Sequence, residues 1–121
     1  MRLILPLFIS AALPAGAALA QDIYESLPLV CQGTAPKWDM VVTEDDTVFD
    51  HLIASSDMDI ALVTTAQDAD WPAALTLIGR GDSAILIVEP AACDTGELSA
   101  RVLTQRGETP LLLTGCCSIQ N

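Results

Sequence analysis

Four cysteines, one histidine and 16 acidic residues are the side chains through which this chain could do chemistry. Cys31 and Cys93 stand apart, whereas Cys116 and Cys117 are adjacent near the end of the sequence. Four thiols in a small domain can bind zinc, cycle redox equivalents or form disulfides. Zinc sites usually pair their cysteines across two-residue gaps, and thiol redox motifs read Cys-x-x-Cys. Neither spacing occurs here, so structural disulfides are the expected chemistry. Neighbouring residues on a strand point to opposite faces, so Cys116 and Cys117 send their sulfurs opposite ways. The economical arrangement joins one of them to Cys31 and the other to Cys93, and the sequence leaves open which is which. Loop-closure entropy puts the bridge to Cys31, across ~85 residues, at roughly 4–5 kcal/mol, and the bridge to Cys93, across ~24 residues, at roughly 3 kcal/mol.

The other candidates are weaker. His51 follows Asp50 on an expected strand, where the carboxylate faces the other way and cannot orient the imidazole. No Gly-x-Ser-x-Gly elbow accompanies it, and a surface histidine is expected. Asp57 and Asp59 share one strand face, as do Asp68 and Asp70 if that stretch is extended. Such pairs could bind calcium weakly or act as acid and base. No calcium-loop spacing is present, and a solvated acidic rim is the expected role. Arg80-Gly81-Asp82 spells an integrin-recognition tripeptide, but Gly79-Arg80-Gly81-Asp82 also meets the needs of a hairpin turn, which is the preferred reading. Trp38 and Trp71 are candidate anchors, either packed into the core, capping a barrel end or exposed for a partner. No catalytic residue, metal ligand or cofactor motif emerges.

The elements that must position these residues follow an export signal. Met1-Arg2 opens with positive charge, residues 3–13 are mainly apolar, Pro14 and Gly16 break the run, and Ala18-Leu19-Ala20 offers small residues for cleavage after Ala20. The run is shorter than the about 20 residues that cross a bilayer, so no membrane span is expected in the mature chain. Residues 21–121 then form one domain in the periplasm or outside the cell, an oxidising setting where disulfides persist. Four of the five basic residues (Lys37, Arg80, Arg101 and Arg106) and all 16 acidic ones lie in that part. The processed domain is therefore more acidic than the full chain, whose net charge is −11. Such a surface repels nucleic acid and anionic lipid and attracts basic proteins, polyamines or metal ions; it also promotes plain solubility.

From Trp38 onward the text alternates short β-rich runs with turns. Strands are expected over residues 38–43, 47–54, 58–65, 73–78, 83–88, 100–105 and 109–116. Turns or loops are expected at Glu44-Asp45-Asp46, at Ser55-Ser56-Asp57, over residues 66–70, over residues 90–97 and at Arg106-Gly107-Glu108. Residues 22–29 would form one helical turn or a loose arm. Residues 84–88 are apolar on both faces, as in a strand covered on both sides. The expected fold is all-β: a small antiparallel meander of six to eight strands, a barrel or barrel-like sheet, braced by disulfides. A small closed barrel fills its interior with side chains and holds one small ligand at most.

Cys31-Gln32-Gly33-Thr34-Ala35-Pro36-Lys37-Trp38 resembles the opening of a family of uncharacterised small bacterial envelope proteins, which begin Cys-x-Gly-x-Glu-Pro-Phe-Trp. Those proteins continue with a cysteine near an aspartate and close on Gly-Cys, here Cys93-Asp94 and Gly115-Cys116. Ala35 and Lys37 depart from the family's Glu and Phe. The family is similar in style to exported β-barrels that inhibit lysozyme, although the Ser-Gly and Tyr loop signature of those inhibitors is missing. The resemblance implies that Gly33 permits an unusual backbone angle, that Pro36 fixes a turn, and that Trp38 plugs one face with Cys31 tied to the C-terminal strand. The expected function is non-catalytic binding, most concretely of a cationic envelope protein such as a lysozyme-like enzyme. The alternative is a barrel that binds a small ligand or a metal, and a two-carboxylate hydrolase ranks last.

Overall fold

In a computed structural model of the chain, the described residues are 23–51, 54–105 and 109–120. The expected signal segment and the expected turn at Arg106-Gly107-Glu108 lie outside them. The fold is a closed antiparallel barrel of eight strands in sequence order. These are β1 (Leu29–Thr34), β2 (Lys37–Val42), β3 (Thr47–His51), β4 (Ala54–Thr65), β5 (Ala73–Gly79), β6 (Asp82–Cys93), β7 (Gly96–Thr104) and β8 (Leu111–Ile119). Each strand pairs with its successor, and β8 returns to β1.

Period-two burial is the physical reason for the closure. Leu29 and Cys31 on β1, Trp38, Met40 and Val42 on β2, Leu75 and Leu77 on β5, and Leu86 and Val88 on β6 are buried, while their sequence neighbours face outward. The strands thus offer mainly apolar inner faces, and a closed sheet is the arrangement that buries them against each other. Ala73, Ala84 and Ala100 alternate with larger buried side chains inside. Ile23 begins a single helical turn that precedes β1, and Ile23 and Leu27 are buried against the core; Tyr24 and Trp71 pack partly on it.

Several boundaries differ from the sequence-based expectation. A strand precedes Trp38: β1 alternates Leu29, Cys31 and Gly33 inward, a pattern masked by the turn-forming Gly and Pro around it. Ser55-Ser56-Asp57 is strand, not turn; Ser55 and Asp57 are polar because they occupy the solvent face of β4. The region 90–97 is not a loop. β6 runs on to Cys93, a register irregularity between Pro90 and Cys93 accommodates the proline, and Asp94-Thr95 connects directly to β7. Ile85 and Ile87 are half-buried on the outer face, so β6 is covered only on its inner side. The Arg80-Gly81 turn forms as expected, with Gly81 at φ 70°.

The disulfides are Cys31–Cys117 and Cys93–Cys116. Because their sequence separations are 86 and 23, the first removes more disorder from the unfolded chain. Replacing Cys31 and Cys117 together by alanine is expected to cost about 4 kcal/mol in urea unfolding, or to abolish folding. Replacing Cys93 and Cys116 is expected to cost about 3 kcal/mol. The opposite order would contradict the role assigned to the β1–β8 closure.

Candidate functional site

The two adjacent cysteines serve two different layers. Cys117 faces inward and meets Cys31, its register partner across the β1–β8 closure. Cys116 faces the other way and meets Cys93, whose Sγ also lies 3.5 Å from the Gly115 carbonyl. One bridge therefore closes the barrel from within, and the other pins the end of the β6–β7 hairpin to the outside of β8. All four thiols are consumed in bridges.

Trp38 is a structural element and not an exposed anchor, being 1 % exposed. The β1–β8 ladder runs from Leu29↔Ile119 to Gln32↔Cys116 and stops there. Just beyond its end, the indole Nε1–H of Trp38 donates to the Thr114 carbonyl at 3.0 Å, so a side chain from β2 continues the closure where the backbones part. It reaches β8 by crossing β1 at Gly33. A Cβ on Gly33 would sit 2.1 Å from Nε1, and one on Gly115 would sit 2.8 Å from the indole Cζ2. The need for glycine at position 33 is space for the ring. Positive φ among the glycines belongs to Gly81, so the unusual backbone angle expected at Gly33 is not found. Trp71 lies in the β4–β5 connection, half-buried against the core.

His51 is also not where the sequence reading put it. It is 2 % exposed and stacks on Phe49, with ring centroids 5.9 Å apart and planes 3° apart. Phe49 in turn meets Trp38 edge-on at 6.4 Å. The reason is parity: Thr47, Phe49 and His51 share the inward face of β3, which sends Asp50 outward. An aromatic residue two positions before the histidine was the available signal.

Near the same end of the barrel the sequence reading missed a polar contact. Ser56 Oγ donates to Asp82 Oδ2 at 2.6 Å. This ties β4 to β6 across β5, at the level where β5 ends in Gly79 and offers no side chain between them. Asp82 is thereby engaged within the fold, and Arg80-Gly81-Asp82 is a turn and not a displayed tripeptide. Thr104 is buried on β7. The Ser56–Asp82 contact braces the rim.

The carboxylates form the outer face of β2–β4. Asp39 and Asp50 are direct cross-strand partners, Asp50 faces Ser55, and Asp57 and Asp59 follow on the exposed side of β4. Lys37 shares a shallow cleft with Asp39 and Asp50. The turn after β2 adds Glu44, Asp45 and Asp46, held by Thr43 N–H to the Asp46 carbonyl at 2.9 Å and by Asp46 N–H to Thr43 Oγ1 at 3.0 Å. Asp68 has φ 59°, so Asp68 and Asp70 belong to a turn and are not a strand pair. Among the described residues no three His, Cys, Asp or Glu side chains are grouped to hold a metal ion. What this face can do is attract extended positive charge.

The chain matches no protein-family model, no curated protein and no solved structure.

Replacing Trp38 by phenylalanine removes the bond to Thr114 and leaves a carbonyl without its partner. The expected loss is about 1–3 kcal/mol in chemical denaturation. Gly33→Ala forces the indole aside, and acrylamide should then quench Trp38 fluorescence that is shielded in the parent protein. Unchanged quenching would refute the fit of the ring over Gly33.

Proposed function

We propose that this chain is an exported, non-catalytic binding domain, periplasmic or secreted, whose acidic face recognises a cationic protein such as a lysozyme-like enzyme. The observation that carries this reading is the grouping of Asp39, Asp50, Asp57 and Asp59 on one outer sheet face, with Glu44, Asp45 and Asp46 beside it. Cross-strand like charges cost stability in the isolated domain, and a bound polycation offsets that cost. The buried inward side chains are mainly apolar, which leaves the charged groups on the outside. Two disulfides favour an oxidising compartment. The chain's resemblance to envelope proteins with a Cys-x-Gly-x-x-Pro-x-Trp opening agrees with that placement.

Purified lysozyme added to the processed domain should bind at low salt and weaken by roughly tenfold or more at high salt, read by calorimetry. Asp39→Asn with Asp50→Asn should weaken binding while leaving the thermal midpoint equal or higher, because the removed charges repel each other. Binding that ignores both salt and these substitutions would overturn the reading.

A further inference from the structure

β4 outruns its neighbour β3, as β6 outruns β5 at its own far end. β3 has 5 residues and β4 has 12. Their ladder ends at Thr47↔Met58, so β4 continues over residues 59–65 with β5 on one side alone. Continuing the register by one step would set Asp46 opposite Asp59, but the Asp46 N–H and C=O are held by Thr43 in the β2–β3 turn, so the ladder stops there. Burial follows the same division. Ile60 and Val63 point toward the interior yet are only half-buried, and Leu62 is 67 % exposed.

The hydrogen-bond phase of this edge can be read from one contact. Ala66 N–H donates to the Pro72 carbonyl at 3.0 Å, which makes positions 66 and 72 a bonded pair. Bonded and non-bonded pairs alternate in an antiparallel ladder. With Thr64↔Ala74 and Leu62↔Thr76 in register, Leu62 and Thr64 bond to β5. Val63 and Thr65 therefore direct their N–H and C=O groups away from β5, toward the open side. Among the described residues no backbone group bonds to that side of residues 59–65, and the Thr65 carbonyl accepts from the neighbouring Thr64 Oγ1 at 3.5 Å.

We infer that this edge of β4 is the docking line of the cationic partner, which adds an extended segment as a further antiparallel or parallel strand. The inference rests on the proposed recognition of a cationic protein and gives it a location. Main-chain bonds to Val63 and Thr65 supply affinity, and alternate side chains of the added strand fall over Ile60 and Val63. Charge selects the occupant. Asp46 lies at the head of the open side, Asp59 is on the strand itself, and Asp68 and Asp70 lie in the turn beyond it. Lys37, Arg80 and Arg101 lie elsewhere, on β2, in the β5–β6 turn and on β7. A second copy of this acidic chain would bring like charges together along the whole edge, whereas a segment alternating basic and apolar residues meets both the carboxylates and the apolar slot.

The test uses a capped heptapeptide of alternating lysine and valine as the probe, followed by amide NMR on the processed domain. In the free protein the Val63 and Thr65 amides should exchange at least about tenfold faster than those of Leu62 and Thr64, and saturating peptide should protect them. Val63→Pro removes an outward N–H without touching the β4–β5 ladder, a position where proline is tolerated on an edge. It should weaken peptide binding by roughly tenfold or more, as should Thr65→Pro and, separately, N-methylation of the peptide's valine amides. If Val63→Pro fails to fold, the methylated peptide on the parent protein decides. Equal affinity for the methylated peptide, or peptide-induced shifts confined to Asp39 and Asp50, would overturn the edge while leaving recognition of cationic proteins standing. Absence of binding by both the peptide and lysozyme at low salt would overturn both.

Discussion

The meeting of β1 with β8 is the constraint on which the rest of the molecule depends. Every other strand pairing in the meander joins strands that follow one another in sequence. This one joins residues separated by 86 positions at Cys31–Cys117 and turns a curled sheet into a barrel. The loop-closure entropy of that contact is the largest in the fold, and the inner disulfide removes most of it from the folding equilibrium. The backbone ladder alone is short there. Trp38 extends it by reaching across Gly33 to Thr114, so a single side chain joins β2, β1 and β8.

Closure decides where function can reside. Trp38, Phe49, Met40, Met58 and the aliphatic side chains are turned inward and buried, as in small eight-stranded barrels whose interior is lined by side chains. The outer face is left to interact, and it is divided. β2–β4 carry Asp39, Asp50, Asp57 and Asp59, whereas Leu62, Thr76, Ile85, Leu103 and Leu112 are successive register partners from β4 to β8. No helix among the described residues is long and apolar enough to cross a membrane.

Much of the architecture was legible because a strand writes its two faces into alternate letters. The all-β meander, the turn at Arg80-Gly81 and the opposite directions of Cys116 and Cys117 all follow from period two. The boundary errors share one cause, the reading of polar, Gly and Pro residues as punctuation. Ser55 and Asp57 are polar because they face water, and Pro90 sits at an irregularity within a continuing strand. His51 was judged by its neighbour Asp50, when Phe49 two positions away was the residue that shared its environment. The Trp38–Thr114 and Ser56–Asp82 contacts were beyond reach, since each needs the registers of several strands at once. The carboxylates of the acidic face were visible as letters, but their assembly on β2–β4 required the Asp39↔Asp50 pairing.

The unequal lengths of β3 and β4 show how closure and exposure coexist. A closed barrel abolishes edges only where adjacent strands are coextensive, and stagger between strands leaves the longer one bare at its end. Natural sheets protect such ends with bulges and charge. β4 has both, an irregularity between Ile60 and Leu62 and the carboxylate of Asp59 at the point where β3 stops. These devices discourage pairing between identical acidic chains far more than pairing with a basic one, because Asp59 repels the former and attracts the latter. The same charge that keeps the exposed strand from self-association thus makes it selective.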